Sequence, residues 1–143
     1  MIHLDTNYLI GLAVAGSPPA QRVDQWLAAG ESLAASALAW TEFLNGPVQS
    51  QEIVLVESII GSRVVPFDKA TAVLAAELFN KTGRRRGSRF DCLIAATAIL
   101  AQADVASADE SDFKVFVPLG LKLAVAGPPP PLPSARQPAA GSD

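Results

Sequence analysis

Four stretches of this chain carry carboxylates where a carboxylate is costly enough to call for a reason. Asp5 closes the short apolar run Ile2-His3-Leu4, and Glu42 lies beside the bulky Trp40 and Phe43. Asp91 stands at the head of the greasy run Cys92-Leu93-Ile94-Ala95-Ala96, and Asp109, Glu110 and Asp112 crowd into four positions after Val105-Ala106-Ser107. Acids of this kind, brought together, are hard oxygen donors of the type that hold Mg²⁺ or Mn²⁺. Each also has an ordinary explanation. Asp5 could cap the helix that follows it, Glu42 could sit on the solvated side of an amphipathic helix, and the late acids could bond their own backbone in a turn. Asp91 is the most demanding, because Ser88-Arg89-Phe90-Asp91 reads as a capping box that opens a helix apolar on every side, where a charge needs compensation.

Other reactive side chains read as packing. His3 is the sole histidine and shares a strand face with Asp5 by alternation, which suits a packed strand residue better than a general base. Cys92 is the sole cysteine, so it forms no internal disulfide, and its apolar neighbours make it a small buried hydrophobe. Arg84, Arg85, Arg86 and Arg89 place four of the eleven basic residues within six positions, directly before Asp91. A solvated loop would explain them; the functional alternative is that guanidinium groups contact nucleic-acid phosphates beside the acids. With a net charge of −3 the chain as a whole does not attract nucleic acid, so any such contact must be local.

The elements that must position these residues can be read from the punctuation. Strands are expected at Ile2-His3-Leu4, Leu33-Ala34-Ala35, Arg63-Val64-Val65 and Val105-Ala106-Ser107, with Phe116-Val117 as an edge strand before Pro118. Helices are expected between them: from Thr6 to Ala15, around Val23, Trp26 and Leu27 up to Gly30, from Ala37 to Asn45 behind a Ser36 cap, and through Ile53, Val56, Ile59 and Ile60 to Gly61. Two more follow, one capped by Asp68 and stopped by Gly83, one running from Ser88 through Leu100, and Asp109 to Asp112 reads as a turn. Half the residues are hydrophobic but only 6% are aromatic, which favours closely packed helices on a sheet over a β-sandwich. Alternating strands and helices argue for a parallel sheet covered on both faces, with ligands at the carboxyl ends of the strands.

At 143 residues the chain accommodates one core. The domain is expected over residues 1–126, and the Pro-rich segment 127–143, beginning Gly127-Pro128-Pro129-Pro130-Pro131, is expected to be an extended, disordered tail. The start Met1 to Asp5 lacks the pattern of a secretory signal, and the longest apolar run, Tyr8 to Ala15, is too short to span a bilayer; a soluble cytoplasmic protein is expected.

Asp5-Thr6-Asn7 after the first strand, Glu42 in a mid-chain helix, the D-x-L-I-A-A-T-A pattern from Asp91 and the closing Ser107-Ala108-Asp109-Glu110-Ser111-Asp112-Phe113 together resemble the PIN-domain family, and more narrowly the VapC-type toxins of bacterial toxin–antitoxin pairs. The resemblance implies a three-layer α/β/α fold with a central parallel sheet of four or five strands, and metal-dependent endonucleolytic cleavage of RNA. It implies catalytic roles for Asp5, Glu42, Asp91 and Asp109, with Mg²⁺ or Mn²⁺ on Asp5, Asp91 and Asp109, and Asp112 competing for the last place. Thr6, Asn7, Ser107 and Asp112 would support the acids. A homodimer and a VapB-like antitoxin are the implied protein partners, with no membrane. Two other classes fit less well. A PIN-like module that binds RNA or protein without turnover would not need all four acids, and a receiver domain would show paired acids at the first strand and a late lysine.

Overall fold

The structure, a computed structural model, describes residues 1–125; the expected tail, 127–143, lies outside the described residues. Its centre is an all-parallel five-stranded sheet in the order β3-β2-β1-β4-β5, built from β1 (Ile2–Leu4), β2 (Leu33–Ser36), β3 (Val64–Val65), β4 (Asp104–Ala106) and β5 (Lys122–Leu123). Seven helices flank it: α1 (Thr6–Leu12), α2 (Pro18–Ala28), α3 (Ala37–Asn45), α4 (Ser50–Ile60), α5 (Lys69–Lys81), α6 (Arg89–Leu100) and α7 (Glu110–Lys114). This is the α/β/α architecture that the alternation predicts.

The order of the sheet fixes where a ligand can bind. β1 lies in the middle, with Ile2 and His3 opposite Leu33 and Ala34 on one side and Ile2 to Leu4 opposite Asp104 to Ala106 on the other. The chain grows outward through β2 and β3, then crosses back and grows through β4 and β5. Between β1 and β4 the direction of growth reverses, and at such a switch the loops leave their strand ends in opposite senses and open a crevice. Asp5 follows β1 at that crevice.

Caps explain most helix starts. Ser17, Ser36 and Asp68 accept hydrogen bonds from the backbone N–H of Ala20, Ala39 and Thr71 at 3.2, 3.1 and 2.9 Å. α5 packs on α6, and α1 packs on both α2 and α3. The core joins β1, β2 and β4 to Phe43, Val56, Ile60, Leu78, Ile94, Phe113 and Phe116.

Five expectations need correction. The first helix stops at Leu12, short of Ala15. The Ser88 capping box does not form: Ser88 is the last residue of a 3-10 turn at Arg86–Ser88, makes no side-chain cap bond, and donates its hydroxyl to the Arg85 carbonyl at 2.7 Å. α6 is not buried on every side, since Phe90 and Leu100 at its two ends are 55% and 50% exposed. The acids after β4 do not form a turn; they open α7. Phe116-Val117 is not a strand. Phe116 is fully buried edge-on against Phe113, Pro118 helps set a 3-10 turn at Val117–Leu119, and Gly120, at φ 114°, turns the chain into β5.

His3 is as well buried as the packing reading predicts, with no exposed surface, and neither ring nitrogen has a hydrogen-bond partner. Burial, helped by the N-terminal ammonium, pushes its imidazole down to about 4. Above pH 6.5 the ring is neutral whether the chain is folded or not. Below it, the unfolded chain takes up a proton that the folded one refuses, so stability is lost between pH 6.5 and about 4, to a total of about 3 kcal/mol. His3→Leu is therefore expected to gain on the parent protein between pH 7 and pH 4.5 in urea melts. Parallel pH profiles for the two proteins would place the acid sensitivity elsewhere.

Candidate active site

Three consecutive residues at the end of β1 reach three different parts of the molecule. Asp5 is 7% exposed, and its two oxygens accept from the Thr6 backbone N–H at 2.7 Å and the Ser107 hydroxyl at 2.9 Å. Thr6 donates its hydroxyl to Oε1 of Glu42 at 3.1 Å, tying α1 to α3. Asn7 donates its side-chain amide to Oδ2 of Asp109 at 2.9 Å, tying α1 to the segment after β4. Ser107 completes the set by accepting from the Asp109 backbone N–H at 3.0 Å. Thr6, Asn7 and Ser107 thus each donate a hydrogen bond to one of the acids singled out in the sequence. The simpler reading of Asp5 as a cap is also correct, because its carboxylate is the N-cap of α1; one group does both.

Asp91 comes to this cluster from the first turn of α6. Desolvation, and then the negative charges of Asp5, Asp112, Glu42 and Asp109, push its carboxyl up to about 6. Asp5 is also raised, chiefly by burial and against the pull of its bonds to Thr6 and Ser107. Five carboxylates from β1, α3, α6 and the β4–α7 segment therefore share one electrostatic field. Asp112 weighs on Asp91 more heavily than Asp109 does. The two late acids are thereby distinguished: Asp109 is held by Asn7, and Asp112 stands nearer in effect to Asp91.

Among the described residues no lysine, arginine or histidine forms an ion pair with any of these acids. Among the described residues the one ion pair joins the N-terminal ammonium to Glu31, away from the site. An all-oxygen, uncompensated donor set suits a hard divalent cation. Asp5 and Asp91, with Asp109 or Asp112, are the groups that could hold it. Among the described residues no three acidic, His or Cys side chains converge tightly enough to form a ready-made ion cage. Like charges fixed on separate elements favour such a splayed arrangement.

The four arginines differ in what they touch. All are exposed, and Arg84 takes a left-handed conformation (φ 55°) after Gly83. Arg89 lies 5.5 Å from the centroid of the Phe79 ring, a packing role. Arg85 lines an open cavity of about 390 Å³ together with Asp91, Asp112, Thr82 and Ser111. Sequence reasoning missed Thr82 and Ser111, which sit in polar stretches with no pattern to mark them. Cys92 is buried, as expected, and burial pushes its thiol up.

Because the folded state raises the Asp91 pKa, it takes up the proton more readily than the unfolded chain does. Stability is then lost as pH rises from about 4 to about 6 and stays lost above. Without added metal, Asp91→Asn is expected to raise the melting temperature at pH 7.5 and to change it little at pH 4. A lower melting temperature at pH 7.5 would mean that the ionised carboxylate is held by a favourable contact.

Comparison with known proteins agrees with this geometry. Among solved structures, FitAcB from Neisseria gonorrhoeae is 25% identical with a TM-score of 0.64, covering 86% of this chain and 96% of that one. VapBC2 from Rickettsia felis, bound to a DNA fragment from its promoter, is 21% identical with a TM-score of 0.67, covering 87% and 98%. A toxin–antitoxin complex from Klebsiella pneumoniae is 23% identical with a TM-score of 0.63, covering 80% and 91%. A search of curated proteins gave no significant match. The PIN domain profile matches residues 2–116, which takes in every acid of the cluster, and the chain belongs to the PIN domain family.

Proposed function

We propose that this protein is a metal-dependent endoribonuclease and the toxin of a VapBC-type pair, hydrolysing RNA phosphodiester bonds. The observation that carries the proposal is the gathering of acids at the switch point, where burial and then the neighbouring carboxylates raise Asp91 to about 6 and no ion pair among the described residues relieves it. A structural cluster would be expected to pair its charges or to contain fewer of them.

In this reading Asp5, Asp91 and Asp109 hold Mg²⁺ or Mn²⁺, and Asp112 is the alternative to Asp109. The ion supplies charge stabilisation at the phosphate and a lowered pKa for the attacking water. The chain's own groups do the rest. Thr6 N–H and Ser107 hold both oxygens of Asp5, so its orientation is set before any ion arrives. Thr6 also fixes one oxygen of Glu42 and leaves the other free to accept a proton from the nucleophilic water. Asn7 fixes Asp109. Arg84, Arg85 and Arg86 supply the local positive charge that an acidic protein needs to engage an RNA backbone.

A VapB-like antitoxin and a homodimeric state are proposed from the family resemblance, and the first is supported by the similarity to a toxin–antitoxin complex. No helix among the described residues is long and apolar enough to cross a membrane, and a cytoplasmic site of action is proposed with the toxin reading.

The decisive experiment is cleavage of a structured RNA pool with Mg²⁺ or Mn²⁺, alongside Asp5→Asn and Asp91→Asn. Both variants are expected to lose at least 100-fold in rate, and saturating metal is expected to raise the melting temperature of the parent, by the equivalent of about 2.7 kcal/mol at one hundred times Kd. Cutting that survives both substitutions would reject the acid centre, and metal binding without cutting would favour an RNA- or protein-binding module.

Arg85→Ala with Arg86→Ala is expected to weaken RNA binding and to lower the slope of log affinity against log salt by about 1.4, the value for two single-strand phosphate contacts. An unchanged slope would remove the loop from the interface.

A further inference from the structure

We infer that the cavity between the arginine loop and α7 is the seat for one nucleotide of the RNA strand next to the bond that is cut. This deepens the nuclease reading and rests on it. The cavity, of about 390 Å³, is lined by Arg85 and Gly87 from the loop, Asp91 from α6, Ser111 and Asp112 from α7, and Val115 just after it. Its size lies in the range of small-molecule sites. It shares Asp91 and Asp112 with the acid cluster, so a strand whose phosphate lies at the cluster finds room for its neighbouring unit here.

The chemistry of the lining selects the occupant. Arg85 is the one cation in it and makes no ion pair among the described residues, which leaves a planar donor fork for a phosphate. The Ser111 hydroxyl makes no side-chain hydrogen bond among the described residues and is free to pair with a ribose hydroxyl or base edge; Asp112 can accept from the same groups. Val115 is the one large apolar side chain in the lining. A protein partner would anchor itself through aromatic or aliphatic side chains in an apolar pocket, and this cavity offers little for them. Two carboxylates against one arginine leave the empty lining net negative, so a phosphate enters well only when a divalent cation offsets Asp91. Nucleotide binding here is therefore coupled to metal.

Gly87 gives a direct way to test the seat. A Cβ built on it meets nothing within 4 Å, and its backbone does not require glycine, so Gly87→Leu fills open space without forcing the chain. Ser111→Leu does the same from the exposed surface of α7. Neither residue belongs to the acid cluster.

The experiment measures binding of nucleoside 5′-monophosphates to the full chain by calorimetry or NMR shifts, with Mg²⁺ and then with chelator, in the parent and both leucine variants. Thermal melts check that each variant folds and still responds to metal. The expected result is metal-dependent binding by the parent that each substitution weakens at least tenfold, with the metal response retained. Binding that neither variant changes, or no binding by a parent that does respond to metal, would overturn the seat. A loss of antitoxin binding with nucleotide binding intact would overturn it in favour of a protein partner. If the chain fails to cut RNA while nucleotides bind as expected, the nuclease reading fails and the seat stands. If it cuts RNA equally well with the cavity filled and without nucleotide binding, the seat fails and the nuclease reading stands.

Discussion

A carboxylate at the end of a buried central strand cannot be tolerated cheaply, and the rest of the site is organised around making Asp5 tolerable. Desolvation raises its pKa, and two donated hydrogen bonds work against that rise. One donor is local, the N–H of the next residue; the other is Ser107, 102 positions away along the chain. The second bond is possible because β1 and β4 pair in register, with Leu4 beside Ala106, so that the residues that follow each strand emerge side by side. Strand pairing, rather than any property of the acid, sets the geometry of the pair.

The same register has consequences further out. Once Ser107 is committed to Asp5, its remaining acceptor capacity takes the N–H of Asp109, and the side chain of Asp109 is left to Asn7. Thr6 holds Glu42 on a helix that enters from the other neighbour of β1. Each bond spends a neutral donor on an acid, and none brings a full positive charge. Neutral donors orient carboxylates without cancelling them, so the field persists, and it adds to the burial that already raises the Asp91 pKa. A lysine in place of any of these donors would bring a full positive charge and weaken the field.

The sequence carried the fold in its punctuation. Ser36, Gly61, Asp68 and Gly83 mark helix boundaries through local hydrogen bonds or backbone conformations that need no knowledge of the tertiary structure, and the corresponding elements fall where they indicate. The failures share one cause. Phe116-Val117 has strand composition, but the buried contact of Phe116 with Phe113 and the ring of Pro118 decide its conformation. Ser88 has the identity of a cap, but its hydroxyl finds the Arg85 carbonyl inside a 3-10 turn. In both, a contact outside the local pattern wins. The acids were legible for a different reason: a charge beside an apolar run is conspicuous at any level of structure. Thr82 and Ser111 were not, because a hydroxyl in a polar stretch has no energetic cost to betray it.

An acidic protein that handles an anionic polymer must separate its own two signs of charge without letting them neutralise each other. Here the backbone does so. Gly83 and Arg84 both adopt positive φ, and the Arg84 N–H closes on the Phe79 carbonyl at 3.0 Å, which ends α5 abruptly. The Arg85 carbonyl is then gripped twice by Ser88, through its N–H at 2.9 Å and its hydroxyl at 2.7 Å. A loop held at both ends presents Arg85 at the rim of the cavity containing Asp91 while forming no ion pair with it. Were the loop slack, the guanidinium could fold onto the Asp91 carboxylate, lowering its pKa and closing the site on itself. The hydrogen bonds at the two ends of the loop thus accompany an arrangement in which Arg85 and Asp91 line one cavity without pairing, so that the two opposite charges stay open to separate partners, as the proposed ion and phosphate would be.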